Sequence, residues 1–512
     1  MGGDVIAFSG WGFSSSMSVI FTDGRHRVAA SPAGVQASDG GRRLVVSVPA
    51  FPPGCACGNG QPLRVNVEFD NGCARDDLNR TNRRFHYVIA GVLVDPAESV
   101  QAAIDEASEG TCVILKAYST HLGPVSITGS KRLLTLTSEY PDSPGRTQLD
   151  GGFRPGNPVS DPTVTLDGCD DTVCVSGLNI ILGNGGVEIK NGAKCIVSGC
   201  VIDDNIAENS ARGGGITIRD NATPLIVGNL IAVNTASGGG GVRIDRAGGF
   251  VVGNTIQGNK IAVGGDGGGM YLDRTIPSLV IADNLIQHNQ TAFACPILQQ
   301  TNPPTPDWDG GGVYWTGGTE DHPVMGLLLR NKIFDNTNYD GQGIGLYIDT
   351  NLAPTISGNE IAQNRGLTER SRGGGVFIDE FNRNQFSFCN NLVHDNEAHS
   401  GGGGVILKKD TVHMYQNLVY CNRAIHRDCY LNEDRPSFAP GIYIEDASPT
   451  IIRNVIYKND GGDHPPDHPP TQSGGLHCQD WSTGFPVFWD NIISDNDGWE
   501  VYSSLSLNSS PQ

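Results

Sequence analysis

The stretch Thr217–Asn234 reads TIRDNATPLIVGNLIAVN and is followed by the glycine run Gly238–Gly241. The same order of features recurs to the C-terminus: a glycine run, a short strand-like segment, a turn, a second short segment, and two asparagines five residues apart. These asparagine pairs are Asn229/Asn234, Asn254/Asn259, Asn284/Asn289, Asn331/Asn336, Asn359/Asn364, Asn391/Asn396, Asn417/Asn422, Asn454/Asn459 and Asn491/Asn496. The shortest step between equivalent asparagines is 25 residues, from Asn229 to Asn254. A recurring unit of this size predicts a solenoid.

The short segments decide which kind of solenoid. Each alternates apolar and polar residues over a few positions, as in Val242–Asp245, which is the period of a strand. Turn residues end each segment before an amphipathic helix could form. Such a strand must pair with the coil above it, about 4.8 Å away, so equivalent positions stack and inward asparagines form side-chain ladders. The sequence therefore predicts an all-β fold, a right-handed parallel β-helix of roughly ten to twelve coils.

Residues 1–91 have a different sequence pattern. Short segments of alternating apolar and polar residues are separated by turn residues, which predicts a small β-sandwich. Three features carry a resemblance to the IPT/TIG family of immunoglobulin-like domains: the turn GWGF at Gly10–Phe13, the strand VSVPA at Val46–Ala50, and the strand FHY at Phe85–Tyr87. The resemblance implies an interaction or spacer module for this part of the chain.

Residues 92–512 form the predicted β-helix, which opens with a capping helix near residues 97–107. Apolar Val100, Ile104 and Ala107 share one helical face, and Ser99 is a candidate N-cap. The order SVQAAIDEA, CVIL, GPVSI over residues 99–127 resembles the opening of pectin-lyase-like β-helix proteins, and with PbH1-type repeats the resemblance covers residues 93–498. It implies a fold rather than one reaction, because that superfamily includes polysaccharide lyases, glycoside hydrolases, epimerases, phage tailspikes and non-catalytic adhesins.

The net charge and the number of cysteines limit which compartment and which binding partners the protein can have. The formal net charge of −20 disfavours nucleic acid and anionic membranes, and no apolar run is long enough for membrane insertion. Thirteen cysteines predict loop-closing disulfides in an oxidising compartment, and Cys112 is a candidate buried free thiol. The close cysteine pairs are Cys55/Cys57, Cys169/Cys174, Cys195/Cys200 and Cys421/Cys429. We expect a monomeric, secreted or cell-surface bacterial protein whose export signal is not present in this chain.

Long insertions at residues 290–309, 423–440 and 460–473 follow the second asparagine of their coils. They occupy the same point of the repeat, so they emerge along one edge of the solenoid, where a rigid scaffold usually carries its binding loops. This predicts substrate-binding roles for Trp308 and Arg427; the alternative is that the insertions are ordinary surface loops.

The strand after each glycine run places two rows of side chains outside the coil, beside that edge. The first row is Thr217, Arg243, Tyr271, Tyr314, Tyr347, Phe377, Ile406, Tyr443 and His477. Aromatic residues in such a row stabilise a sheet by cross-strand contact, or they form a platform for sugar rings. The platform interpretation assigns substrate binding to Tyr314, Tyr347, Phe377 and Tyr443.

The second row contains Asp349, Asp379, Lys408 and Glu445 on consecutive coils, and these are the candidate catalytic residues. Carboxylates this close together raise one another's pKa or bind a cation, which predicts Ca²⁺ on Asp349 and Asp379. Lys408 could then remove the proton α to a uronate carboxyl group, with that carboxyl group paired to Arg372 or Arg427. Two alternatives remain open: the paired carboxylates hydrolyse a glycosidic bond, or the row is an ion-pair ladder.

These observations predict a polysaccharide-active enzyme. A lyase that acts on an acidic glycan by β-elimination is preferred to a hydrolase. A non-catalytic surface or adhesion protein that binds glycans is the alternative from another class. If the protein is an enzyme, we expect buried charged groups with shifted pKa values near Asp349 and Asp379. If it is an adhesin, we expect a shallow aromatic face with solvated carboxylates.

Overall fold

A computed structural model shows the architecture of the chain. It describes the backbone of seven N-terminal strands and then residues 90–503, except residues 142, 155–158, 208–211, 263–264, 292–308, 319–323, 340, 350–351, 369–370, 380–385, 400, 409–410, 426–438, 462–472, 480–485 and 498.

The N-terminal strands form two antiparallel sheets. One sheet has the order Val5–Ser9, Arg43–Ser47, Val35–Ser38. The other has the order Arg27–Ala29, Ser18–Thr22, Arg64–Asp70, Arg84–His86. These strands agree with the predicted strand texture, while the sandwich packing, the IPT/TIG identity and the boundary at residue 91 stay predictions. The next strand, Ala90–Val94, already pairs in parallel with Thr111–Leu115.

The rest of the described chain is a right-handed parallel β-helix, as predicted, with three long parallel sheets. Sheet I contains 13 strands, most of which follow a glycine run: Val125–Thr128, Val164–Asp167, Val187–Lys190, Ile216–Arg219, Val242–Asp245, Met270–Asp273, Val313–Thr316, Leu346–Ile348, Val376–Ile378, Val405–Lys408, Ile442–Glu445, Ser473–Gln479 and Trp499–Ser503. Sheet II contains 14 strands: Ala90–Val94, Thr111–Leu115, Thr135–Ser138, Cys174–Ser176, Ile196–Ser198, Leu225–Val227, Phe250–Val252, Val280–Ala282, Leu327–Leu329, Thr355–Ser357, Ser387–Cys389, His413–Tyr415, Thr450–Ile452 and Val487–Trp489.

Sheet III contains 13 strands: Ser119–Leu122, Thr147–Asp150, Asn179–Ile181, Val201–Asp203, Leu230–Ala232, Thr255–Gln257, Leu285–Gln287, Lys332–Phe334, Glu360–Ala362, Leu392–His394, Leu418–Tyr420, Val455–Tyr457 and Ile492–Ser494. Two short parallel sheets follow sheet III in the coils. They consist of Thr235–Ala236 with Lys260–Ile261, and of Thr337–Asn338, Arg365–Gly366, Glu397–Ala398 and Arg423–Ala424. A 3-10 turn lies at Pro144–Arg146. The coil number is thus slightly larger than predicted.

The predicted capping helix is confirmed at Val100–Glu106. Ser99 is its N-cap, because the Ser99 Oγ accepts a hydrogen bond of 3.1 Å from the Ala102 N–H. Val100 and Ile104 are buried and join the core of the first coils. None of the described residues belongs to a helix that is both long and apolar enough to cross a membrane.

Two asparagine ladders run inside the turns, as the sequence predicts. At Asn254, the backbone N–H and the side-chain amide both donate to the Asn284 Oδ1, at 2.9 and 3.0 Å, and the same amide donates to the Ile226 carbonyl at 3.0 Å. The second ladder repeats this arrangement, for example from Asn289 to Asn336. The inward amide of Asn254 therefore satisfies buried backbone groups of the preceding coil, the Ile226 carbonyl and the Asn229 N–H.

The local disulfides predicted for Cys169/Cys174 and Cys195/Cys200 are wrong: all four thiols are free, as is Cys112. An extended strand, Ile196–Ser198, separates Cys195 from Cys200, which places their Cα atoms roughly 10 Å or more apart, beyond the reach of a disulfide. Cys200 instead occupies the ladder position that asparagine has in later coils, since its N–H donates to the Asn229 Oδ1. Cys421 is also free, and the other proposed partners, Cys55, Cys57 and Cys429, lie outside the described residues.

Candidate functional site

The outward row of sheet I is a continuous stack of aromatic rings. Parallel pairing aligns Tyr271, Tyr314, Tyr347 and Phe377 on four consecutive coils, as predicted. We call these four residues the aromatic column. Their ring centroids are 5.2, 5.1 and 5.4 Å apart, with interplanar angles of 18°, 2° and 19°. The coil spacing itself enforces this stacking, because rings at equivalent positions meet face to face.

The aromatic column is enclosed rather than spread on the surface. Phe377 is 0% exposed and Tyr347 is 5% exposed, and with Ile406, Ala439 and Tyr443 they form an apolar cluster outside the main core. Their ring faces contact one another, so a sugar ring would meet the hydroxyl-bearing edges of the column. The cross-strand stacking that the sequence left as an alternative is present; the substrate-binding roles of these residues stay predictions.

Two tyrosine hydroxyls are bonded to the two candidate catalytic aspartates. The Tyr314 hydroxyl donates to the Asp349 Oδ2 at 3.2 Å, and the Thr316 hydroxyl donates to the same oxygen at 2.7 Å. One coil further on, the Tyr347 hydroxyl donates to the Asp379 Oδ2 at 3.3 Å. The structure therefore places both predicted aspartates against the aromatic column.

The candidate cations are paired with carboxylates. The Lys408 ammonium group lies 3.1 and 3.2 Å from the two oxygens of Asp379, whose side chain is 13% exposed. Arg372 donates to the Glu445 Oε2 at 3.1 Å, and its guanidinium group lies 5.8 Å from the Phe377 ring centroid. The site thus brings together Asp349, Asp379, Lys408, Glu445 and Arg372, whereas Trp308 and Arg427 lie outside the described residues.

A second row of carboxylates, which the sequence reasoning did not use, lines the other side of the aromatic column. Asp266 and Asp309 stand directly before the glycine runs of their coils. The Asp309 N–H donates to the Asp266 Oδ1 at 2.8 Å, and the Gln342 N–H donates to the Asp309 Oδ1 at 2.7 Å. The sequence signal was the recurrence of aspartate before GGG, at DGGG of residues 266–269 and again at residues 309–312.

Burial and these carboxylates shift the pKa values of the site. Burial, followed by the charge of Asp349, raises the pKa of Asp266 to about 6. Burial and the neighbouring aspartates raise the pKa of the Tyr314 and Tyr347 hydroxyls far above the usual tyrosine range, so both hydroxyls stay protonated donors. For Tyr314 the contributing charges come from Asp349 on one side and from Asp266 and Asp309 on the other.

The predicted calcium site on Asp349 and Asp379 is not favoured by this arrangement. Calcium takes six to eight oxygen ligands, but a lysine ammonium group already lies against the Asp379 carboxylate. Across the described part of the chain, no group of three or more His, Cys, Asp or Glu side chains is arranged to hold a metal ion. Asp349 and Asp379 by themselves supply few of the ligands that Ca²⁺ takes, so the calcium site stays a prediction, and the chemistry considered below does not depend on it.

Sequence and structure comparisons address the family. The family described as right handed beta helix region matches residues 163–320 and 332–510, more than half of the chain. The chain belongs to this family. No curated protein matches its sequence.

Three solved structures are similar to this β-helix protein at low sequence identity. The periplasmic alginate epimerase AlgG is 13% identical, with a TM-score of 0.38 over 81% of this chain and 84% of that chain. The catalytic unit of a GH87 α-1,3-glucanase from Streptomyces thermodiastaticus is 13% identical, with a TM-score of 0.39 over 100% and 90%. A mannuronic-acid-specific family 6 polysaccharide lyase from human gut microbiota is 12% identical, with a TM-score of 0.35 over 81% and 92%.

Proposed function

We propose that this β-helix protein is a polysaccharide-active enzyme that cleaves glycosidic bonds on the outward face of sheet I. The observation that carries the proposal is the pairing of enclosed carboxylates with column hydroxyls, Asp349 with Tyr314 and Asp379 with Tyr347. A face that only bound glycans by stacking would present ring faces and solvated carboxylates. Here the ring faces are covered and the Asp379 side chain is only 13% exposed, which costs desolvation energy and suits a reaction centre.

Hydrolysis is the reaction that this geometry supports best. Glycoside hydrolysis takes one carboxylate that stays ionised and one carboxylic acid that carries a proton. Asp349 accepts two hydroxyl hydrogen bonds, which orient its carboxyl group to activate water or attack the sugar. The order expected from the sequence, with elimination first, is therefore reversed in this proposal.

β-Elimination is the second candidate, and the contact between Lys408 and Asp379 supports it. In that reaction Lys408 removes the proton α to a uronate carboxyl group, the electrons form a carbon–carbon double bond, and the glycosidic oxygen leaves. Arg372 would pair the uronate carboxylate. Both cations would first have to leave their present carboxylate partners, Asp379 and Glu445, which is the cost of this alternative.

The local charge favours a neutral glycan over an acidic one. The described charged side chains around the aromatic column include Asp245, Asp266, Asp273, Asp309, Asp349, Asp379, Glu445, Arg243, Arg274, Arg372 and Lys408. Carboxylates outnumber cations in this set, so an anionic chain would be repelled unless its own acid groups met Arg372 and Lys408. We propose a secreted or surface-bound monomer.

A glycan panel with two readouts tests the proposal. Purified protein is incubated with neutral, amino and uronate polysaccharides, and both reducing ends and the ultraviolet absorbance of unsaturated uronates are followed. Hydrolysis predicts reducing ends without the absorbance, and elimination predicts both together. Lys408→Ala should abolish elimination but leave a hydrolase partly active. A panel without either product would reject the enzyme proposal and leave glycan binding as the function to test.

A further inference from the structure

We propose that Asp266 is the proton donor of the cleavage reaction, acting across the aromatic column from Asp349. The inference rests on the proposed function, because that function supplies the bond to be cleaved. Asp266 was not among the residues predicted from the sequence, and its assignment comes from its position in the structure.

Two edges of sheet I bring carboxylates to the same tyrosine hydroxyl. Asp266 and Asp309 lie at the edge where the glycine runs enter the sheet, and Asp349 lies at the edge where the strands end. The Tyr314 hydroxyl experiences the charge of all three groups. A sugar ring resting on the hydroxyl edge of Tyr314 would therefore have one carboxyl group on each side, which is the arrangement that acid–base cleavage requires.

The two edges give their carboxyl groups opposite environments. Asp349 accepts hydrogen bonds from the hydroxyl groups of Tyr314 and Thr316, and these two bonds hold its carboxyl group in one orientation. Asp266 accepts one backbone hydrogen bond from Asp309 and is half-buried, and the facing charge of Asp349 disfavours its ionisation. Two carboxyl groups in such different hydrogen-bonding environments, on opposite sides of one substrate position, are the usual basis of an acid and base assignment.

One cation opposes this effect without cancelling it. The Arg243 guanidinium group lies 4.5 Å from the Tyr271 ring centroid, and its charge acts to lower the pKa of Asp266. The Asp309 N–H that donates to Asp266 also lowers this pKa, and the balance of burial and Asp349 against that hydrogen bond and Arg243 still leaves it at about 6. A group with this pKa is protonated in a useful fraction of molecules near neutral pH and can be protonated again after each turnover.

The reaction balances with water as the only co-substrate. The Asp266 proton moves to the glycosidic oxygen as the bond from that oxygen to the anomeric carbon breaks, and the bonding electrons stay on the oxygen. A water molecule bonds to the anomeric carbon and gives its proton to the Asp349 carboxylate. Proton exchange with solvent then restores both groups, and the net change is addition of water across the glycosidic bond.

The test compares Asp266→Asn, the conservative Asp266→Glu, and Asp335→Asn as a matched control on the outer side of sheet III. With the substrate that the panel identifies, Asp266→Asn should lower kcat at least about 100-fold with little change in KM, and it should remove the alkaline limb of the pH–rate profile. Asp266→Glu should recover part of the rate. An Asp266→Asn variant with wild-type turnover and an unchanged alkaline limb would overturn the inference and leave the proposed function standing.

A titration that needs no substrate separates the two proposals. Carboxyl carbon resonances of the wild type and Asp266→Asn are compared as a function of pH. The inference predicts one carboxyl group that titrates near pH 6 in the wild type and is missing from the variant, in addition to Asp203, whose pKa burial and the charge of Asp204 also raise to about 6. The absence of such a group overturns the donor assignment, whatever the panel shows. A wild-type protein that cleaves nothing on the panel overturns the proposed function itself.

Discussion

The protein stacks side chains in two places, inside its turns and along the outer face of sheet I, and the two stacks differ in kind. Inside, asparagine follows asparagine from coil to coil with the same bonds each time. Outside, the residue changes at almost every coil. That outer row is Glu188, Thr217, Arg243, Tyr271, Tyr314, Tyr347, Phe377, Ile406, Tyr443 and His477.

This difference separates what the fold needs from what a site needs. An inward amide meets the same backbone groups in every coil, so one residue type is the best solution everywhere. An outward residue meets only its neighbours and solvent, so its identity is free to vary. The coils from Asp266 to Glu445 use that freedom to gather tyrosines, carboxylates and Lys408, and each prediction below separates the two stacks.

The largest effect is expected from Asp349→Asn in the outer stack. The variant should lose about 1,000-fold in kcat, or ~4 kcal/mol of transition-state stabilisation, because the amide cannot act as a base or nucleophile. Its stability should change little, because the amide still accepts the hydroxyl hydrogen bond of Thr316. Initial rates measure the expected loss of kcat, and urea unfolding measures the expected small change in stability. A rate within threefold of the wild type, while the Asp335→Asn control behaves normally, would remove Asp349 from the chemistry.

The inner stack should respond in stability instead. Asn336→Ala should lower the free energy of unfolding by ~3 kcal/mol, because it leaves the Asn289 N–H and amide without their shared acceptor and removes the bond to the Ile286 carbonyl. The matched control is Gln287→Ala, which removes an amide–amide bond between coils on the outer face and should cost less than ~1 kcal/mol. Equal losses in the two variants would show that the inward ladder has no special role.

The free energy of unfolding should depend on pH because of Asp266. Its pKa is raised from 3.8 to about 6 in the folded protein, so folding favours its protonated form. Below about pH 4 this group therefore does not lower the free energy of unfolding. As the pH rises from about 4 through 6, its ionisation lowers the free energy of unfolding of the folded protein. Relative to the wild type, Asp266→Asn should gain up to ~3 kcal/mol between pH 4 and pH 7, measured by urea unfolding at each pH. A constant difference between the two proteins would contradict the raised pKa.

The smallest effect is expected from Tyr347→Phe, which keeps the ring stack and removes only the hydroxyl donor to Asp379. The free energy of unfolding should fall by ~1.5 kcal/mol, the lower end of the range for a hydrogen bond to a charged group, because this bond is long at 3.3 Å. Tyr347→Ala should cost several times more, because it opens the enclosed column between Tyr314 and Phe377. Similar losses for the two variants would place the role of Tyr347 in the hydroxyl rather than in stacking.

The repeat made the fold and the two stacks predictable, since the asparagine spacing fixes the coil and strand alternation fixes which side chains point out. The contacts of Asp349 and Asp379 with the column also follow from that register. The disulfides were predicted wrongly because spacing along the chain says nothing about the extended strand between Cys195 and Cys200. Asp266 was missed because its importance depends on burial and on charges from other coils, which no local pattern contains.

The most direct measurement is a crystal structure of the Asp349→Asn, Asp379→Asn double variant with oligosaccharides of the panel substrate. The account predicts a sugar on the hydroxyl edge of Tyr314, with its glycosidic oxygen within hydrogen-bond distance of the Asp266 carboxyl group. A glycan bound only to the outer faces of sheet II or sheet III, with the aromatic column of sheet I uncovered by any ligand, would contradict it.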